Sequence, residues 1–488
     1  MTLRSPLRSY NPEQLLVTAL SVAFVAYIVI RSRFVAMTID EVATIFNHAT
    51  RGLWDMVTYQ KDATPNNHIF HTLCLNFTTW LLGIHQVTAR IPVLLGGILY
   101  LWAARRISAM HDRVELRLFT LVALLGNHFV IEFFSLARGY GLASACMLAS
   151  VYGALEYLRA PTQKALAGSA FMAILAVWSN FTLLNFYLPY TVLMLLVVAQ
   201  QQNGGSLLRH WALVAAGTGL TALVTVKPVL AMRAADEFRF WQSSGFLEST
   251  MRPAIRATLS DPLLDYVPWF IALVVGFCIV TWGYAMGIWI KKHARFDGFS
   301  FVSALFLGAI CYNFLQNLIL GVPFLDARTS LFYYPLLALL LMSAAHWVWE
   351  KKPLAAQAYM VVVAGFVVVN FYQKASFTRQ TEWWFDNGTF MVIDYLEQLY
   401  HTEKRSAPIT LDTSWPMQNS YNFHIKDSTP RLERYIQLPP WHGGREYPGD
   451  TEFYVTESDD LGKLKDQYQL VLKSPYNPIY LFQRKKAQ

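Results

Sequence analysis

Long apolar runs separated by short polar intervals dominate the chain. They fall at about 14–35, 90–107, 116–136, 138–158, 164–180, 181–200, 207–230, 264–290, 300–320, 331–349 and 354–372. Each is nearly free of charge and close to the ~20 residues that cross a hydrocarbon layer as a helix. The pattern predicts about eleven membrane-spanning helices. The intervals alternate in character. With the N-terminus on the cytoplasmic side, the inner loops read "ARRISAMHDRVELR", "YLRAPTQK", "GGSLLRH", "IKKHARF" and "WEKKP", and all are basic. Agreement across so many loops supports this orientation, because Lys and Arg concentrate on the cytoplasmic side.

Three longer polar segments then lie outside: an insert at about 36–90, a loop at about 231–262 and a tail from about 373. The tail changes pattern. "TEWWFDNGTFMVIDYLEQLYHTEKRS" predicts a helix after an aromatic entry, and "APITLDTS", "RYIQLPP", "EFYVTES", "YQLVLKS" and "IYLFQR" predict short strands between Pro, Gly and Asp breaks. The fold class expected is an α-helical polytopic membrane protein with a small C-terminal α/β soluble domain. The expected division is 1–372 and 373–488.

Composition agrees. The chain has 488 residues, of which 54% are hydrophobic and 15% charged, and its mean hydropathy is +0.30. That is too apolar for an ordinary soluble chain. The net charge of +8 is accounted for by the inner loops and implies no nucleic-acid partner. Cys74, Cys146, Cys278 and Cys311 lie in or beside apolar runs with no metal-type spacing, which argues against a disulfide framework. The first apolar run is long for a signal peptide and lacks a small-residue cleavage site, so it reads as an uncleaved first helix.

Chemistry-bearing residues gather in the 36–90 insert. Val42, Ile45, Phe46, Ala49 and Leu53 recur at helical spacing, with Glu41, Thr44, Asn47, His48 and Arg51 opposite them. This predicts an amphipathic helix lying on the membrane surface. Thr38-x-x-Glu41 fits a capping box, and Asp40 would then be a first-turn carboxylate favoured by the helix dipole. The same dipole keeps Asp40 ionised, as a proton acceptor must be. Structural and catalytic roles therefore both stay open for Asp40 and Glu41.

Asp40-Glu41 directly after one helix, then Gly52-Leu53-Trp54, a polar Pro-containing loop, an apolar stretch ending "LLG" and the re-entry "ARIPVLLGGIL" resemble the GT-C superfamily of membrane glycosyltransferases. The similarity is to the branch with protein O-mannosyltransferases and the bacterial lipid A aminoarabinose transferase. The resemblance implies sugar transfer from a polyprenyl-phosphate donor to a glycan, lipid or protein acceptor, with inversion, at the outer face of a bacterial inner membrane. It puts the catalytic base on Asp40, with Glu41 as the neighbouring candidate. The family often has Lys-Pro-Pro or His-Pro-Pro where this chain has "TPNNH", which makes Asn67 and His68 candidate substrate contacts.

Two later outer turns supply cations: "EFFSLARGYGLA" carries Arg138 and Tyr140, and "GVPFLDARTSLFYY" carries Asp326 and Arg328. Both resemble turns at which the superfamily engages the lipid phosphate, and the arginine fork suits phosphate oxygens. Snorkelling toward the interface is the plainer alternative, and it is the favoured one for Lys227. His68-x-x-His71 with His48 could offer three ligands to a divalent cation, but no carboxylate stands in a zinc or iron pattern, so no cofactor is assigned. Glu132 is an acid in an apolar run, for which an ion pair with Arg138 is the modest explanation. Trp178, Asn180 and Asn185 lie near the outer face and could line the same cavity. Transfer of a whole lipid-linked oligosaccharide, or lipid or sugar transport without chemistry, are the competing functions. Transport would call for inverted repeats and mid-span charges, and neither is evident.

Overall fold

A computed structural model describes residues 12–237, 245–427, 432–440, 450–459, 462 and 465–485. The N-terminal "MTLRSPLRSY" and part of the expected 231–262 loop lie outside these residues. Among them, eight helices are long and apolar enough to cross a membrane. The chain begins with α1 (Pro12–Phe34). The insert then folds as α2 (Ile39–Ala43), α3 (Leu53–Thr58) and α4 (Ile69–Leu82). α5 (Gln86–Ser108) re-enters the apolar bundle.

The expected span 116–136 is broken. α6 (Val114–Leu125) ends at Gly126, and Asn127 caps the short α7 (His128–Glu132) by accepting from the Val130 amide at 3.2 Å. An asparagine offering its own carbonyl to the backbone starts a new helix rather than continuing the old one. α8 (Gly139–Arg159) is the most enclosed of the long apolar helices, and α9 (Gln163–Ser179) packs along it. Gly153 permits that approach, since a Cβ there would stand 2.8 Å from the Cβ of Ser169. α10 (Leu184–Gln201), α11 (Gly204–Ala234), the short α12 (Arg252–Thr258), α13 (Val267–Lys291), α14 (Gly298–Leu320), α15 (Tyr333–Lys351) and α16 (Pro353–Lys374) complete the bundle.

The tail forms α17 (Thr389–Thr402) and five strands: β1 (Ile409–Thr413), β2 (Ile436–Gln437), β3 (Phe453–Thr456), β4 (Tyr468–Lys473) and β5 (Tyr480–Arg484). A short α18 (Gln418–Asn422) follows β1. The sheet order is β2-β1-β3-β5-β4, with β1 parallel to β2 and β3, and β5 antiparallel to β3 and β4. Val392, Ile393 and Leu396 of α17 bury their side chains against Ile409, Leu411, Val455 and Leu481 of the sheet. All five runs expected as strands are strands, and the expected tail helix is α17.

This layer is stitched to the bundle by buried polar bonds. Arg31 of α1 donates to Ser135 at 3.1 Å, to the Arg379 carbonyl at 2.8 Å and to the Ser376 carbonyl. Glu132 accepts from the Thr381 amide at 2.9 Å and its hydroxyl at 3.1 Å. The expected pairing of Glu132 with Arg138 is therefore corrected: Thr381 satisfies both of its oxygens. The Met37 amide donates to His424 at 3.0 Å, and the Ile39 amide to Asp386 at 3.2 Å. The segment Ser376–Asp386 thus lies across the mouth of the insert.

Candidate active site

Thr38 and Glu41 form the expected capping box: the Glu41 amide donates to Thr38 Oγ1 at 3.1 Å and the Thr38 amide to Glu41 Oε2 at 2.9 Å. The Glu41 carboxylate is fully buried and goes further. Arg90 Nε donates to Oε1 and Arg90 Nη2 to Oε2, both at 2.8 Å, and the Ala137 amide donates to Oε1 as well. Arg90 spends its remaining donors on the carbonyls of Ser32, Val35 and Ala36 at 2.7–3.0 Å. A bidentate fork with every lone pair used is what makes such a buried pair tolerable.

Asp40 is one residue away and differently placed. Its Oδ2 lies 3.8 Å from Arg138 Nη2 and 3.7 Å from Arg328 Nη2, and the carboxylate is 23% exposed. Arg138, almost fully buried, is fixed by bonds from Nη1 to Thr44 Oγ1 at 2.6 Å and to the Asn66 carbonyl at 3.1 Å. Thr44 in turn donates to the Asp40 carbonyl at 2.7 Å. Arg328 donates from Nη1 to Glu382 at 2.8 Å and sits over the Trp383 ring, 5.1 Å from its centroid. Burial works against the Arg328 charge, but Tyr140, Asp40 and Glu382 outweigh it and push its pKa up. The structure therefore gathers Asp40, Arg138, Tyr140 and Arg328 from three separate parts of the sequence.

The other candidates have narrower places. Asp326 caps the turn Ala327–Ser330 that presents Arg328, and burial raises its pKa. Asn67 donates to the Met56 carbonyl at 2.8 Å, and its own carbonyl accepts from the buried Tyr59 hydroxyl. His68 precedes α4, with its ring edge-on to Tyr140 at 5.1 Å. Lys227 lies over the Trp54 ring instead, 5.5 Å from its centroid. Among the described residues no three His, Cys, Asp or Glu side chains come together as a metal site; His48 turns to Asp62, 3.9 Å away.

One expectation about this loop is overturned. A surface helix with Glu41, Thr44 and His48 on its solvent face does not form, because α2 passes at once into a π-helix, Thr44–Ala49. Glu41, Thr44 and His48 are buried along with Val42, Ile45 and Ala49, while Phe46, Leu53 and Trp54 are exposed. The supposed outer face is the one that binds Arg90 and Arg138. π-helical turns of this kind concentrate at functional sites.

Sequence reasoning gave no role at the site to Thr44, Asn66, Glu382, Trp383 or Asp386. "TEWWFD" stood out as aromatic, but nothing local in it announces a partner for Arg328. Asp386 is fully buried, and burial holds its carboxyl well above the usual range, helped by Glu41 and Asp40 and opposed by its bond from Ile39. Burial likewise raises Glu382, against the pull of Arg328.

No family model and no curated protein matches the chain. Solved structures do. ArnT from Cupriavidus metallidurans in its apo state superposes with a TM-score of 0.50 over 96% of this chain and 97% of that one, at 11% identity. This is a GT-C fold. Two further structures align more loosely. ArnT bound to undecaprenyl phosphate has a TM-score of 0.48, 12% identity and coverage of 96% and 97%. The Archaeoglobus fulgidus oligosaccharyltransferase tethered to an acceptor peptide has 0.44 at 11% identity, over 88% of this chain and 64% of that one. Within the GT-C fold seen here, the Asp40 cluster stands where the first insert, the start of α8, the turn before α15 and the tail meet.

Proposed function

We propose that the chain is a glycosyltransferase that moves a sugar from a polyprenyl-phosphate donor to an acceptor at the extracytoplasmic face of a bacterial inner membrane. The observation that carries this reading is a partly exposed carboxylate, Asp40, set between the guanidinium groups of Arg138 and Arg328 at 3.8 and 3.7 Å. In the reaction an acceptor hydroxyl oxygen attacks the anomeric carbon, and the bond from that carbon to the phosphate oxygen breaks. Asp40 takes the hydroxyl proton, and the lipid phosphate leaves carrying the electron pair, with inversion. Charge grows on the departing phosphate, so two fixed forks beside the base stabilise that charge in the transition state.

Glu41 has no lone pair left for substrate and serves to position Asp40 through Arg90. Asp386, held toward its neutral form, keeps a competing negative charge away from the arginines. Asn67, His68 and Tyr140 line the approach, and Asp326 sets Arg328. We read residues 1–372 as the membrane part and 373–488 as its extracytoplasmic cover, with the chain start cytoplasmic, as the basic loops imply.

The test is transfer of radiolabel from polyprenyl-phosphate sugars, with native membrane extract as acceptor source, by intact protein and by Asp40→Asn. Loss of a general base costs on the order of 10²–10⁴ in rate, with thermal stability retained. Equal transfer by the two proteins would remove Asp40 from the chemistry.

A further inference from the structure

A second concentration of charge lies at the far end of the bundle from Asp40. α8 starts beside Arg138 and ends at Arg159, and α15 starts just after Arg328 and ends at Lys351. At 1.5 Å per residue, the 21 residues of α8 put about 31 Å between its two ends. That is close to the ~30 Å thickness of a hydrocarbon layer. At this far end the last turns of α5, α8, α13 and α15 and the first turn of α14 surround a cavity of about 650 Å³. Small-molecule sites occupy about 300–1,000 Å³, so the space is ample for a ligand.

The cavity has an apolar floor and a cationic rim. Ile107, Leu155, Val302 and Met342 are buried beneath it, whereas Arg159, Lys292 and Lys351 line it as exposed residues. Helix dipoles favour cations at C-terminal ends, but they require no cavity between those ends. Two carboxylates also line the space. Asp297 is spent: Oδ1 accepts from the Ser300 amide and hydroxyl, both at 2.8 Å, and Oδ2 from Lys292 Nζ at 2.6 Å. Glu350 is exposed and lies 3.6 Å from His346. Arg159 donates to the Met110 carbonyl at 2.7 Å and Lys351 to the Tyr284 hydroxyl at 3.0 Å, so these partners leave both charges uncancelled. Lys351 is also held over the Trp347 and Tyr284 rings, 4.3 and 5.1 Å from their centroids. The turn into α14 is fixed as well, because Gln200 of α10 donates to the Ala294 carbonyl at 2.7 Å and accepts from the Phe296 amide at 3.1 Å.

Such a cavity suits a ligand that carries one anionic group on an apolar body. Guanidinium and ammonium groups both pair with phosphate oxygens, and basic pockets between membrane helices take anionic lipid headgroups. A small hydrophilic anion would meet the rim but leave the apolar floor uncovered. We propose that this cavity holds one anionic phospholipid, its phosphate met by Arg159 and Lys351 and its apolar part seated on Ile107, Leu155, Val302 and Met342. The site lies a bundle's length from Asp40, so it goes beyond the transfer reading and stands or falls separately from it.

The experiment titrates the full chain in detergent with phosphatidylglycerol, phosphatidylcholine or inorganic phosphate and counts bound molecules by native mass spectrometry. One phosphatidylglycerol is expected to be retained in preference to phosphatidylcholine, and millimolar inorganic phosphate should not displace it. Arg159→Gln and Lys351→Gln should each weaken that binding about fivefold, and the double variant about 25-fold. Phosphatidylglycerol should also raise the unfolding midpoint of the intact protein more than that of the double variant. Equal retention of the two lipids, binding unchanged in the double variant, or displacement by inorganic phosphate overturns the site. Should the variants fail to fold, a diazirine-bearing phosphatidylglycerol on the intact protein carries the same test. Crosslinks within 284–302 and 342–351 support the site, and crosslinks confined to other segments overturn it.

Discussion

Both oxygens of Glu41 are taken by Arg90, Thr38 and Ala137, whereas Asp40 stays partly exposed with two guanidinium groups 3.7–3.8 Å from its Oδ2. Neighbours in one helical turn thus divide the work, and substitutions should separate them. Arg90→Met leaves a fully buried carboxylate uncompensated and is expected to cost about 3–5 kcal/mol, read as a large fall in unfolding midpoint. Asp40→Asn should leave that midpoint nearly unchanged while transfer stops. The arginines offer a second contrast. Arg328→Lys keeps the charge but loses the fork shared with Glu382 and the contact with Trp383. Transfer should fall about 10- to 100-fold in the radiolabel assay, with little change in folding.

At the level of elements, the seam between the insert and the tail carries a titratable bond. His424 accepts from the Met37 amide, which only its neutral ring can do, and burial next to Arg90 and Arg33 lowers its pKa to about 3. An imidazole whose folded pKa is depressed stabilises the fold above its unfolded value of about 6.5 and loses that contribution as pH falls toward 3. At pH 5 the loss is about 2 kcal/mol. His424→Gln can still accept the bond and cannot titrate, so the drop in unfolding midpoint between pH 7.5 and pH 5 should shrink in the variant. An unchanged drop would put the acid sensitivity elsewhere.

Elements were also where the sequence was most readable. Uninterrupted apolar runs marked the helices, alternation with Pro and Gly breaks marked all five strands, and Thr38-x-x-Glu41 marked the cap of α2. The broken run at Gly126–Asn127 was hidden because two polar residues do little to a window of twenty. The site was legible only in part. Asp40, Arg138 and Arg328 each sit at the edge of an apolar run, where charge is conspicuous. Glu382 and Asp386 lie in an ordinary polar segment, and their partners are 54 and 347 residues away. Thr44 was seen, but on a helix assumed to face solvent, because a π-turn has no signature at helical spacing.

Taken whole, the molecule is a bundle one end of which is completed by chain from beyond its last long apolar helix. Arg31, Glu132 and Arg328 come from the bundle, and each is partnered by the segment Ser376–Asp386. A chain ending at Lys374 should keep its helical circular dichroism, yet unfold at markedly lower temperature and transfer no sugar, since the buried Arg31 and Glu132 and the half-buried Arg328 lose partners together. Retained transfer by that shorter chain would show that the segment is merely a cover.

The segment that meets the candidate site comes after the last long apolar helix, α16, in the order of synthesis. The helices α1 to α16 are all made while Arg328 still lacks Glu382 and the Ile39 amide still lacks Asp386. At that stage Arg138 already has Thr44 and Asn66, while Arg328 has yet to meet Glu382. On the proposed reading, the cluster around Asp40 is complete only once chain beyond α16 has folded onto it, so the order of synthesis itself would keep a half-built protein from consuming its donor.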